Sequence, residues 1–402
     1  MQEIIMLAHV PTDSVNEGFI PAAAKLERPV VLLTDHAEAH RQYFGQSDRM
    51  AYPAEIIACD VFNPLAVMGA VTCRAQRPAA IFSNSDHLQA STAIAAAYFD
   101  VPRKSWRAAY RAKNKAEMRT ALQRSGVDML WHAVVCHPER LAEVIDTVPF
   151  PCIVKPREGV ASLQVSLCRD RAALESQCQR LWAEQPGYPL LLEEYIDGPL
   201  YTLETLGDGK ALHVLGGFQV ALSPPPVFIE LEARWGTGLP ADIEQQVVDM
   251  IRALGVGFGA CHTEFVLTES GPRLIEVNYR CIGDYREFLL QETLGIPLFE
   301  QVLRLYLGES LSPLDLASNA AVIRYFTACS PGQLIGMPQA FASHAEGMRL
   351  SYKPLRRIGE ALSLTHSNKD YLGVLRGIGA DIDALTREMD RVSQSLAWEI
   401  AA

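Results

Sequence analysis

The stretch His262-Thr263-Glu264-Phe265-Val266-Leu267-Thr268-Glu269-Ser270-Gly271-Pro272-Arg273-Leu274-Ile275-Glu276-Val277-Asn278-Tyr279-Arg280 leaves the backbone few choices. Polarity alternates on both sides of a short glycine-containing turn, the period-2 pattern of an antiparallel hairpin, and Gly271 suits a positive φ there. With the turn centred on Ser270, Glu264 faces Glu276 and His262 faces Asn278. Because strand side chains alternate, Glu264, Glu276 and Asn278 then share one face. Two directly opposed carboxylates destabilise a sheet unless something positive lies between them. A divalent cation removes the repulsion, and an oxygen-only donor set suits Mg²⁺ or Mn²⁺, which take their remaining ligands from water and phosphates. A hairpin with both glutamates in solvent is the alternative these residues leave open.

A chain of 402 residues leads us to expect two or three domains. In the first hundred, apolar runs at 4–10, 30–34 and 79–82 read as strands, and 16–26 and 87–99 as helices, a βαβ pattern with a parallel sheet. The loops 9–12 and 83–86 follow two of these strands, at the carboxyl ends where open α/β sheets place ligands. Beyond Pro102 the pattern changes to a small α+β lobe, with helices at 115–125, after Pro138 and at 170–182. Its strands are expected at 131–136, 152–155, 163–168 and 190–195. Strands at 201–206 and 211–220, a helix at 243–254, the hairpin, helices to 307 and strands at 321–328 and 371–376 complete the pattern. The expected fold class is α/β with α+β lobes, divided at 1–106, 107–196 and 197–402. The last helix repeats Ile382, Leu385, Met389, Val392 and Leu396 at three- and four-residue steps. That stripe serves either as a packing face or as the interface of a homodimer.

Three further features concern anions. Asn114-Lys115-Ala116-Glu117 opens a helix with a capping box, Asn114 as cap and Glu117 at the third position. Lys115 in that first turn opposes the helix dipole, which a nearby anion would relieve. Lys155 ends the apolar strand Cys152-Ile153-Val154, and a lysine at the end of a buried strand needs a partner. The strand Leu190-Leu191-Leu192-Glu193-Glu194 runs into Tyr195-Ile196-Asp197-Gly198, leaving backbone groups for an adenine edge. Gly255-Val256-Gly257-Phe258-Gly259-Ala260 matches a dinucleotide fingerprint, but it follows a helix and precedes a strand, the reverse of what that motif requires, and reads as a helix stop.

A formal net charge of −11 argues against a chain built to hold nucleic acid. No apolar run approaches the roughly 18 residues of a membrane span, and an acidic residue stands where a signal peptide would be basic. The expected compartment is the cytoplasm. Nine scattered cysteines without a CxxC pair read as small buried thiols.

The order and spacing of Asn114-Lys115 with a helix ending at Ser125-Gly126-Val127, Ile153-Val154-Lys155-Pro156, Leu191 to Gly198, and Thr263-Glu264-Phe265 to Arg280 resemble the ATP-grasp superfamily of carboxylate-amine ligases. The resemblance implies an ATP-grasp fold behind an N-terminal Rossmann-like domain. It implies ATP and Mg²⁺ or Mn²⁺ as cofactors, and a small carboxylate and an amine as substrates. By position, Lys115 and Lys155 would hold the α- and β-phosphates. Glu193 would contact the adenine amino group or help hold the nucleoside, and the backbone of Glu194 and Ile196 would pair with the adenine edge. Glu264, Glu276 and Asn278 would ligate the metal, and Arg280, with Lys155, would act on the transferring phosphoryl group. The sequence departs from the family twice. The phosphate-covering loop, Arg157 to Gln164, has a single glycine, and Leu200 occupies the position of an acidic ribose contact, with Glu204 as a substitute four residues on. Asp284, Tyr285 and Arg286 are candidates for the acceptor site or for an ordinary helix start. The implied activity is an amino-acid ligase, of the kind that makes dipeptides or siderophore amides through an acyl phosphate. A bicarbonate-activating carboxylase and a non-catalytic nucleotide binder are the alternatives.

Overall fold

A computed structural model describes residues 2–46, 51–236 and 238–401. Ile4–Leu7, Val30–Thr34, Glu55–Ala58 and Ala80–Phe82 form a parallel sheet in the order third, second, first, fourth. Ile4–Leu7, Val30–Thr34 and Ala80–Phe82 are apolar at every residue but Thr34 and buried along their whole length, as parallel strands between helices must be. Glu55–Ala58 escapes the sequence reading because it is a half-exposed edge strand with only two aliphatic residues. The helix expected at 16–26 begins as the π-helical turn Ser14–Phe19 and continues as Ile20–Lys25.

A second sheet, antiparallel, orders His132–Val135, Leu190–Glu194, Cys152–Pro156 and Ser166–Cys168. Its own core gathers Val135, Leu141, Val154, Leu174, Leu181 and Leu192. The largest sheet has ten strands and carries the hairpin at one edge: Gly271–Asn278, Phe258–Thr268, Leu200–Asp208, Phe218–Leu222, Glu230–Trp235, Ala320–Thr327, Tyr371–Gly379 and onward. The single strand expected at 211–220 is two, Leu212–Gly216 and Phe218–Leu222. Gly216 takes φ +130° and packs against the Trp235 ring, where a Cβ would lie 2.5 Å from the nearest ring atom. Chain direction breaks there because only glycine fits. The sequence reading also missed Glu230–Trp235, whose charged residues mask its strand character.

The parallel sheet is packed onto the large one through helix Leu298–Tyr306. Phe19 meets Phe299 and Phe82 meets Tyr306, each at a ring separation of 5.0 Å, in one continuous core. Gly18 permits that approach, since a Cβ on it would sit 2.4 Å from the Phe299 ring. Helices Trp106–Lys113 and Lys115–Arg124 contribute Ala108, Ala112, Met118 and Leu122 to a core shared with helix Ala241–Ala253 and the hairpin. Among the described residues no helix is long and apolar enough to cross a membrane.

The hairpin register depends on one inserted residue. Its turn is two residues, with Thr268 paired to Gly271, and that register alone would set Glu264 opposite Ile275. A β-bulge at Ile275 shifts the ladder by one, so Glu264 faces Glu276 and His262 faces Asn278. Since a one-residue slip moves every side chain to the opposite face, the bulge is what aligns the two carboxylates.

Candidate active site

Three adjacent strands present one polar row. His262 is paired to Glu204 on one side and Asn278 on the other, and Glu264 is paired to Thr202 and Glu276. Phe218 N–H donates to Thr202 Oγ1 (3.1 Å), and the Thr202 hydroxyl donates to Glu204 Oε1 (2.9 Å). His262 lies between acids, with Nδ1 2.7 Å from Glu204 Oε1 and Nε2 3.2 Å from Glu264 Oε1. Burial pushes the imidazole pKa down, but the flanking carboxylates outweigh it and lift it to about 10, so His262 is a cation here. Glu204 is thus committed to His262 and Thr202. It lies apart from the residues lining the cleft, whereas Leu200 lines it.

Asn114 caps its helix as expected, its Oδ1 accepting from Glu117 N–H at 3.2 Å. The cap places Lys115 so that Nζ donates to Glu276 Oε1 (3.1 Å) and to the Gly159 carbonyl (2.9 Å). Burial acts to lower the Lys115 pKa, and Glu276 more than reverses it. The facing glutamates are therefore compensated by His262 and Lys115, one on each Oε1. Among the described residues no hydrogen bond reaches either Oε2 or the Asn278 side chain. Those oxygens form a largely buried, oxygen-only donor set whose chemistry fits a hard divalent cation.

Across the cleft, Lys155 pairs with Glu193 Oε2, and Arg119 Nε donates to Glu193 Oε1 at 2.5 Å. Burial raises the Glu193 pKa, while Arg119 and Lys155 together hold it down at about 2. Arg119 also reaches Asp128, which Arg273 of the hairpin contacts in turn. Arg119 was not anticipated, although it follows Lys115 by four residues and so shares its helix face. Replacing Arg119 with methionine takes one of two cationic partners from each of two buried carboxylates, leaving Lys155 on Glu193 and Arg273 on Asp128, and should cost roughly 3 kcal/mol of stability, the low end for a broken buried pair, read from urea denaturation at pH 7. An unchanged midpoint would contradict this account. The sign of the pH dependence follows from the depressed carboxyl: the stability Glu193 contributes is complete above its unfolded pKa of 4.5 and lost as pH falls towards 2.

The Glu194 N–H is occupied by the Trp131 carbonyl (3.2 Å), so only the Glu194 carbonyl and the Ile196 N–H are candidates for an adenine edge. The loop at 157–164 covers the cleft with Gly159, Val160, Ser162 and Leu163. Ala161, Ser162 and Gln164 take φ of 55°, 54° and 60°, left-handed conformations without glycine. Tethers offset that strain: Lys115 N–H donates to the Arg157 carbonyl (3.2 Å) and Asn368 N–H to the Ala161 carbonyl (3.2 Å).

Arg280 follows the row, its Nη1 donating to the Cys281 carbonyl at 2.9 Å. Two residues from the N-terminal third fix the backbone around it. Asn84, in the loop expected to wall the pocket, accepts from Cys281 N–H (3.0 Å), and buried Lys104 donates to the Tyr279 carbonyl. Asp86 in the same loop pairs with Lys113 at 2.5 Å and lies in the field of Arg280. Arg286 turns away into a buried pair with Glu230.

Residues 112–284, the segment holding Lys115, Arg119, Lys155, Glu193 and the row from Glu204 to Arg280, match the family model of the ATP-grasp domain. The chain carries an ATP-grasp domain. Its backbone as a whole is similar to the L-amino acid ligase from Bacillus licheniformis, at a TM-score of 0.81 and 18% identity over 100% of this chain and 99% of that one. In sequence it is 27% identical over 302 residues to the uncharacterized protein y4rH of Sinorhizobium fredii, covering 72% of this chain and 61% of that protein. It is 30% identical over 181 residues to carnosine synthase 1 of Gallus gallus, covering 40% of this chain and 19% of the synthase. The chain thus spans less than two thirds of each of these two relatives. The fold likeness to the ligase extends over the parallel sheet as well.

Proposed function

We propose that this chain is an ATP- and Mg²⁺-dependent ligase that activates a small carboxylic acid of the amino-acid class and joins it to an amine. The observation that carries the reading is the row Glu264, Glu276 and Asn278, followed by Arg280, facing Lys115 and Lys155 under the loop at 157–164. The likeness to an L-amino acid ligase and to carnosine synthase supports the substrate class.

In this reading the cleft between the antiparallel sheet and the hairpin holds the nucleotide. The Glu194 carbonyl and the Ile196 N–H meet the adenine edge, and Glu193 stays ionised to fix Lys155 beside the phosphates. Lys115, released in part from Glu276, pairs with phosphate oxygens. A divalent ion on Glu264, Glu276 and Asn278 would supply charge neutralisation at the terminal phosphates. A carboxylate oxygen attacks the γ-phosphorus, the β–γ bridging bond breaks, and ADP leaves. Arg280 neutralises the transferred oxygens. An amine then attacks the acyl phosphate carbon, expelling inorganic phosphate and losing a proton. The covering loop excludes water, which would otherwise hydrolyse the acyl phosphate.

The test is to incubate the protein with ATP, Mg²⁺ and pooled acids and amines, following ADP and searching for the condensation product by mass spectrometry. An amide formed in step with ADP supports the ligase. ADP formation that depends on bicarbonate alone overturns it.

A further inference from the structure

We propose that Asp284 and Glu287, with Asn16, form a subsite for a protonated amino group of the substrate beside Arg280; the inference rests on the ligase reading. Three features lie around the start of helix Arg286–Leu294. First, Asp284 and Tyr285 are consecutive non-glycine residues at φ 57° and 68°. Such strain persists only where the surroundings impose it. Here Tyr325 Oη donates to the Asp284 carbonyl (2.8 Å) and the Tyr285 hydroxyl donates to Asp13. The result is an Asp284 carboxyl whose pKa burial raises, in the combined field of Arg280, His262 and Glu264.

Second, Glu287 in the following turn is 2% exposed, and its Oε2 has no hydrogen-bond partner. Burial pushes its pKa up to about 7, with Asp284 adding to the rise and Arg280 and the Ser14 hydroxyl opposing it. Third, Asn16 is also 2% exposed, and both its Oδ1 and its Nδ2 lack partners. It belongs to the π-helical turn Ser14–Phe19, which packs on helix Arg286–Leu294 and whose Ser14 acts on Glu287. π-Helical turns are concentrated at functional sites.

Buried polar groups without partners are costly and rare. An ammonium brings three donors and a positive charge, which two carboxylates and an amide oxygen satisfy together. Arg286 cannot serve as the counter-ion, because Glu230 and Tyr325 hold it. The same chemistry admits two sources, the α-ammonium of the acid being activated or the incoming amine before it loses its proton.

The experiment uses the full chain. ADP release is measured with each common amino acid and with its des-amino counterpart, once with hydroxylamine to trap the acyl phosphate and once with an amine acceptor. Asp284→Asn should raise the KM of the amino-bearing substrate at least tenfold while leaving affinity for a nonhydrolysable ATP analogue unchanged. Asp284→Glu should recover part of the loss. A rise in the hydroxylamine assay assigns the subsite to the activated acid, and a rise only with acceptor assigns it to the amine. Equal KM values in wild type, Asp284→Asn and Glu287→Gln in both assays overturn the subsite and leave the ligase reading standing. ADP release with no acid and amine at all overturns the ligase reading and the subsite with it.

Discussion

Glu276→Gln should reduce ATP turnover by roughly 10²–10³-fold and move metal activation to higher Mg²⁺ concentration. Glutamine keeps the shape and the cross-strand position, so the ladder and the bulge at Ile275 have no reason to change. What disappears is one of two facing negative charges. In the nucleotide-free protein that charge is half of an ion pair with Lys115, which keeps the Gly159 carbonyl as a second acceptor. The fold should therefore tolerate the change, with a melting temperature within a few degrees of wild type. Glu276→Ala should lose turnover completely, at a somewhat larger stability cost because Lys115 is buried. Steady-state ADP release over a Mg²⁺ titration checks both variants. Wild-type turnover with an unmoved metal curve would remove the hairpin row from the chemistry and return the pair Glu276–Lys115 to a purely structural role.

How much of this could be read from the sequence varies with how local its cause is. Period-2 polarity fixed which hairpin residues share a face, and the cap Asn114 fixed where the Lys115 helix starts, because both are short-range patterns. The centre of symmetry at Ser270 was correct for a reason the pattern did not contain. The turn is one residue tighter than assumed, and the bulge at Ile275 restores the register. The parallel sheet was legible where its strands are uniformly apolar and not at Glu55–Ala58, an edge strand. Partners that depend on distant segments meeting stayed hidden. Arg119 with Glu193, His262 with Glu204, and Asn84 with Cys281 are separated by 74, 58 and 197 residues. No window of sequence contains both members. Glu204 shows the consequence: chosen by nearness in sequence to Leu200, it instead buttresses His262. The glycine-poor loop gives a converse example. Its left-handed residues are Ala161, Ser162 and Gln164, so conformation there is imposed by tethers and not by composition.

Arg280→Ala should lower kcat on the order of 10³-fold while changing the affinity for ATP by less than about threefold, because its charge matters most when the γ-phosphoryl group is in transit. Its surroundings argue for a positioned group. The carbonyl before it accepts from Lys104, the amide after it donates to Asn84, and its own Nη1 returns to the Cys281 carbonyl. The backbone on both sides of Arg280 is thus held by residues of the N-terminal third, which ties that part of the chain to the placement of the guanidinium. Arg280→Lys should recover little, since a point charge on a flexible stem does not reproduce a planar fork. Asn84→Ala supplies the complementary arm. It leaves every charge in place and frees the Cys281 N–H, so it should lower kcat by a smaller factor with ATP affinity unchanged. Rapid-quench measurement of acyl phosphate formation, alongside equilibrium binding of a nonhydrolysable ATP analogue, separates the two quantities. A loss in Arg280→Ala that falls on nucleotide affinity and spares the chemical step would make Arg280 a ground-state phosphate ligand and shift the burden of phosphoryl transfer to Lys155.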